Sequence, residues 1–293
     1  MNEHSVFVPL GDERIAAVLC LPETGDALGL WVLMPGQGAP RSTQYHFRFW
    51  TELARRLAER GVASIRMDHL GVGDSTRRLE VMAPDPGREQ EPLAVAAFGM
   101  AAVGTEVLGF AGHCYGGRLA VEAAMVHPRA IGVVASHYAP PVERAAVRPT
   151  RRLRYRIRSW PPVARLSTTA FGRRVLEPIV SAVFGRSRGI AGGGERFDAG
   201  LRRLLGRAGV VLMNGDDEAR YHLRLRPFLD RYLPTLDPRL AGRLESVLLP
   251  AKDLGGYMAL EAQRIELDVM VDRIVRLTIS PRVEPVALGD PTR

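Results

Sequence analysis

The sequence predicts an α/β protein: a mostly parallel central sheet, helices on both faces, and an inserted helical segment. Three observations predict it. Apolar runs of strand length alternate with segments of helical periodicity along most of the 293 residues. One mostly apolar run, Glu106 to Ala111, passes straight into Gly112-His113-Cys114-Tyr115-Gly116-Gly117, a sharp strand-to-helix turn with a nucleophilic side chain at its apex. The alternation then breaks from about 142 to 207, where prolines and the glycine run Gly192-Gly193-Gly194 replace strand-like text.

The elements follow in order. Ser5–Val8 and Arg14–Leu21 read as a hairpin across Leu10-Gly11-Asp12-Glu13. Leu28–Met34 is a buried strand ending in the loop Pro35-Gly36-Gln37-Gly38. Phe49–Arg60 places Trp50, Leu53, Ala54 and Leu57 at helical spacing and stops at Gly61. Val62–Met67 is a strand leading to Asp68-His69-Leu70-Gly71-Val72-Gly73-Asp74-Ser75. A helix over Leu93–Val103 precedes the elbow strand, and a second, Arg118–Val126, follows the elbow. Ile131–Ser136, Gly209–Met213 and Ser246–Leu249 supply the remaining strands, and Gln263–Leu277 a closing amphipathic helix.

Composition narrows the classes. A 46% hydrophobic content suits an ordinary globular core, and no apolar run is long enough for a membrane span. The opening Met-Asn-Glu-His-Ser carries neither a charged n-region nor an apolar h-region, so the expectation is a cytoplasmic protein without a signal peptide. The net charge of +8 comes almost wholly from arginine, Lys252 being the single lysine. Such a bias reflects base composition more readily than function, and no nucleic-acid motif accompanies it, so no nucleic-acid partner is expected. The two cysteines are read as separate thiols, Cys20 a small residue of a buried strand and Cys114 the reactive one.

Four segments in this order resemble the α/β-hydrolase superfamily over nearly the whole chain: Met34-Pro35-Gly36-Gln37-Gly38, the Asp68–Ser75 segment, the elbow, and Met213-Asn214-Gly215-Asp216-Asp217-Glu218. The elbow resembles the G-x-S-x-G nucleophile turn with sulfur in place of the serine oxygen, the variant found in dienelactone hydrolases. The resemblance implies a sheet of the α/β-hydrolase type, formed by 1–141 and 208–293, with 142–207 as an arginine-rich helical cap. It implies Cys114 as nucleophile at a helix N-terminus that favours a thiolate. It implies an oxyanion hole from the backbone N–H groups of Tyr115 and Gln37. It places the acid at Asp217, with Glu218 as the alternative.

The base departs from the family pattern. The family carries a histidine after the last strand; here Leu254 stands at the matching place and no histidine follows His222. His137 is the leading substitute because it sits at the carboxyl end of the sixth strand, the end that faces the crevice of an open α/β sheet. His46, His69 and His222 follow other strand ends, while the His113 side chain is expected to point away from the nucleophile it flanks. A thiolate also attacks without a base, which shifts weight from simple hydrolysis toward acyl transfer, cyclisation or elimination.

Between Val142 and Arg174 stand ten arginines against Glu143 alone, with Tyr155 and Trp160 among them. A basic cap over a thiol site suits an acidic acyl carrier protein, a CoA phosphate or a carboxylated substrate, although a solvated arginine face weighs as heavily. The expected function is thus an enzyme acting through Cys114 on an ester, thioester or lactone, free or bound to a carrier protein or CoA, in specialised natural-product metabolism. No cofactor and no metal are expected, and the oligomeric state is left open. The competing class is a non-catalytic binding protein with the same fold.

Overall fold

The structure, a computed structural model, describes residues 1–23, 25–36, 45–76, 88–140, 193–215, 221–250 and 260–279. The chain divides into two compact units, Met1–Pro140 with Asp198–Arg293, and Pro141–Phe197. The second unit lies outside the described residues apart from its last five, as do the ten arginines of the expected cap.

The first unit is built on eight strands: β1 (Asn2–Leu10), β2 (Glu13–Leu21), β3 (Leu30–Met34), β4 (Ala63–Met67), β5 (Leu108–His113), β6 (Ala130–Ser136), β7 (Gly209–Gly215) and β8 (Leu244–Leu249). They form one sheet in the order β1-β2-β4-β3-β5-β6-β7-β8. The β1–β2 and β2–β4 pairs are antiparallel; every other pair is parallel. The opening hairpin turns at Gly11, whose φ of 58° suits glycine. The parallel strands read as continuous apolar runs because helices cover both of their faces: every residue of β3, β4 and β5 is buried.

One face carries α1 (Tyr45–Glu59) and the closing helix α7 (Leu260–Ile279); the other carries α2 (Gln90–Val103) and α3 (Tyr115–Val126). Between them in the chain come α4 (Gly193–Leu205), α5 (Arg226–Tyr232) and the short α6 (Pro238–Ala241). The α1/α7 layer buries Trp50, Leu53 and Leu57 against Leu33, Ala111, Val134 and Met213 of the sheet and Leu267, Met270 and Ile274 of α7. The Trp31 indole spans this core and donates to the Thr278 hydroxyl at 2.8 Å, tying β3 to the last turn of α7.

The sequence assigns 193–207 to the insertion, yet from Asp198 onward these residues group with the sheet unit. Arg207 explains part of this. Its guanidinium donates to the carbonyls of Ala124, Met125 and His127 at 2.8, 3.1 and 3.2 Å, capping the C-terminal end of α3 where a cation is favoured. Cys20 is buried in β2, its thiol 3.6 Å from the Ala54 carbonyl, and neither cysteine is in a disulfide. Among the described residues no helix is long and apolar enough to cross a membrane.

Candidate active site

β5 delivers the chain to Cys114, which adopts φ 52° and ψ −110° before α3 begins at Tyr115. That conformation is costly for a residue with a Cβ and persists because the surroundings impose it. The Cys114 N–H donates to the Ser136 carbonyl at 2.8 Å, and its carbonyl accepts from Arg118 N at 3.1 Å. Packing leaves no room at the flanking glycines. A Cβ on Gly116 would lie 2.0 Å from the Met34 carbonyl oxygen, and one on Gly112 would lie 2.3 Å from the Gly116 carbonyl carbon. The elbow therefore brings the end of β3, Cys114 and the first turn of α3 together. Cys114 is partly exposed there, beside the N–H groups of that turn, which lack intrahelical acceptors.

Period-two alternation decides what lies beneath the sulfur. Ala111 of β5 and Val134 of β6 belong to the core under α1 and α7. Two residues on, His113 and Ser136 occupy the same face, where α7 presents Glu266. Glu266 is fully enclosed. One carboxylate oxygen accepts from the Ser136 hydroxyl at 2.5 Å and faces His113 Nδ1 at 3.3 Å. The other lies 3.6 Å from His137 Nε2. The two imidazoles sit with centroids 4.4 Å apart. His137 itself has φ 50°, a turn made just past the end of β6 and fixed by its N–H on the Met213 carbonyl at 2.7 Å.

The electrostatics follow from this packing. Burial alone would lower the His113 pKa, but hydrogen bonds to Cys114 and to Glu266, and the charges of both, carry it up to about 9. Burial likewise opposes a charged Glu266, but His113 and His137 outweigh it and hold its carboxyl well below the usual range. His113 therefore faces Cys114 on one side and a buried carboxylate on the other. This corrects the expectation that its side chain points away. Glu266 is absent from the sequence reading altogether. The signal for it was present: Glu266 falls on the apolar stripe of the closing helix with Ala262, Met270 and Ile274, where a carboxylate requires a partner.

The other expected positions divide as follows. Tyr115 stands at the first position of α3, with its N–H in the elbow. His137 reaches Glu266 and His113. His69 lies in a separate buried group at the end of β4, and His222 is exposed beyond β7. Gln37, Asp217, Glu218 and Leu254, and the side chain of His46, lie outside the described residues.

His113, His137 and Glu266 each offer a donor atom, all within 4.8 Å of one another, a spacing that a divalent metal ion such as zinc spans. In the structure these atoms already face one another as imidazole and carboxylate partners, with the Ser136 hydroxyl on the same carboxylate.

No family model and no curated protein sequence matches the chain. Solved structures do. An esterase from Pyrococcus furiosus, Pf2001, superposes with a TM-score of 0.59 at 9% identity, covering 94% of this chain and 91% of its own. The thioesterase domain of the curacin biosynthetic pathway gives 0.56 at 16%, covering 94% and 100%. A serine hydrolase without a lid from Xanthomonas campestris gives 0.56 at 15%, covering 96% and 97%. At such identities the likeness speaks to architecture alone, and with the eight-stranded sheet and its elbow it establishes that this chain has the α/β-hydrolase fold.

Proposed function

We propose that the chain is an acyl-transferring enzyme in which Cys114 attacks an ester or thioester carbonyl, His113 is its proton partner, and Glu266 orients and charges His113. The observation that carries this reading is the His113 imidazole held between the Cys114 side chain and the buried Glu266 carboxylate, with its pKa raised to about 9. An imidazolium beside a cysteine stabilises the thiolate, the form that attacks.

The steps balance as follows. The thiolate forms a C–S bond to the carbonyl carbon, and the carbonyl electron pair moves onto oxygen. The Tyr115 N–H at the head of α3, with the Gln37 N–H as its proposed companion, receives that oxyanion. Collapse breaks the bond to the leaving group, which takes the proton from His113. The sulfur is now neutral in a thioester, so His113 loses one of the two charges that raised its pKa. It is then fit to accept a proton from the second nucleophile. Water at this step gives hydrolysis; a hydroxyl or amine gives cyclisation or transfer. This supplies the water activation that a bare thiolate lacks.

Nδ1 of His113 faces one Glu266 oxygen, and Nε2 of His137 lies 3.6 Å from the other. His137 thus supports the carboxylate, and under this reading Glu266 takes the orienting role that the sequence assigns to Asp217. The esterase and thioesterase among the structural neighbours suit an acyl substrate, and a carrier- or CoA-bound thioester in natural-product metabolism is the substrate class we favour. The test is intact-mass spectrometry after exposure to activated esters and acyl-thioesters. Wild type should gain one acyl mass and Cys114→Ala none. Absence of any adduct or turnover across the panel leaves a binding protein of the same fold as the better reading.

The metal spacing of His113, His137 and Glu266 favours a second use of the cluster. Under the thiolate reading, chelator leaves acylation unchanged. Loss of acylation on chelation, restored by zinc, would transfer the role to a metal.

A further inference from the structure

A second buried polar group lies on the other side of the elbow, and the proton transfers above make no use of it. His69, at the end of β4, is 1% exposed. Its Nε2 donates to the Pro35 carbonyl at 2.8 Å, and its Nδ1 lies 3.6 Å from a carboxylate oxygen of Glu91. Its ring stands edge-on to Tyr115, centroids 5.3 Å apart at 79°. Glu91, 2% exposed at the start of α2, accepts from Leu70 N at 3.2 Å and from Arg88 Nε at 2.7 Å. Arg88 also donates to the Leu70 carbonyl at 2.9 Å and faces the Tyr115 hydroxyl. Burial opposes the charge on Glu91, but His69 and Arg88 outweigh it and hold the carboxyl below its usual range.

Pro35 follows the end of β3, and Tyr115 carries the expected oxyanion donor at the start of α3. The His69 bond fixes the Pro35 carbonyl oxygen and, with it, the planar Pro35–Gly36 peptide. That oxygen also lies against the start of α3, 2.5 Å from where a Cβ of Gly116 would stand. One imidazole therefore bonds the chain just past β3 and packs against Tyr115, whose N–H is the expected oxyanion donor.

We propose that His69, braced by Glu91 and Arg88, is a positioning residue that holds Tyr115, whose N–H is the expected oxyanion donor of the elbow, against the chain just past β3. The inference rests on the acyl-transfer reading. It predicts a separation between two reactions of the same sulfur. Alkylation of Cys114 by iodoacetamide develops no oxyanion and should be indifferent to His69. Acylation by an activated ester passes through an oxyanion and should depend on it.

The experiment measures both rates at Cys114 in wild type, His69→Leu and His69→Gln. The leucine variant should alkylate within about twofold of wild type and acylate roughly tenfold to hundredfold more slowly, less than outright loss of a donor costs. The glutamine variant, whose amide N–H reaches the Pro35 oxygen, should recover most of the acylation rate. Should His69→Leu not fold, His69→Asn, whose amide falls short of that oxygen, provides the same comparison. Equal slowing of both reactions, unchanged acylation in the leucine or asparagine variant, or no recovery with glutamine overturns the positioning role. A wild type that alkylates but that no donor acylates overturns instead the acyl-transfer reading, and the inference with it.

Discussion

At the scale of single residues, the chemistry turns on where a proton rests. His113→Asn removes the proton partner, and acylation by an alkyl ester should fall about a hundredfold or more, the usual worth of general acid–base catalysis. His137→Ala should cost far less if that ring serves only to hold the Glu266 carboxylate, which it reaches at 3.6 Å. The pH dependence has a definite sign. His113 carries its proton below about 9, so acylation by a poor leaving group, which needs that proton, should decline above that pH. A p-nitrophenyl ester, whose leaving group departs unprotonated, should decline much less; parallel profiles would remove His113 as the acid. Glu266→Gln strips the buried imidazoles of their counter-charge and should lower stability by about 3–5 kcal/mol in denaturant titration. Of these residues the sequence names Cys114, because its glycines and strand announce an elbow, and His137, because it ends a strand at the crevice. His113 was misjudged because a neighbour in a strand points to the opposite face, whereas Cys114 has left the strand with a positive φ. Glu266 stands 153 positions from its imidazole partner, and no local pattern carries that distance.

At the scale of elements, the sequence was a good guide. Hydrophobic period distinguishes β2, β3 and β5 from α1 and α7, and Gly61 ends α1 as expected. What periodicity could not give was the role of 193–207, since an amphipathic helix reads alike in a cap or against a sheet. The elbow is the least forgiving joint. Gly116→Ala would drive a methyl into the Met34 carbonyl, and we expect a loss of about 3 kcal/mol or failure to accumulate as folded protein, measured by thermal melting. Thr278→Val tests the far end of the same layer. It deprives the buried Trp31 N–H of its acceptor and should cost about 1–3 kcal/mol without altering Cys114 alkylation.

At the scale of the whole molecule, stability and pH are coupled through the buried cluster. His113 has a folded pKa above its ordinary 6.5, so its contribution is full below 6.5 and is lost as pH rises through about 9. Glu266 has a folded pKa below its ordinary 4.5, so its contribution is full above 4.5 and is lost as pH falls below it. The difference in melting temperature between wild type and His113→Asn should therefore be largest between about pH 4.5 and 6.5 and shrink toward pH 9. A difference that grows with pH would contradict the assignment of charge. The proposed catalytic pair has one more consequence. Nucleophile and base occupy consecutive positions, His113 and Cys114, joined by a single peptide bond. One peptide bond fixes the distance between their Cα atoms, so no two distant loops have to meet. The segment after β8, which holds a histidine in proteins of this type, is then released from that duty. It is free to change length or to take up substrate recognition, without the site ever losing its proton donor.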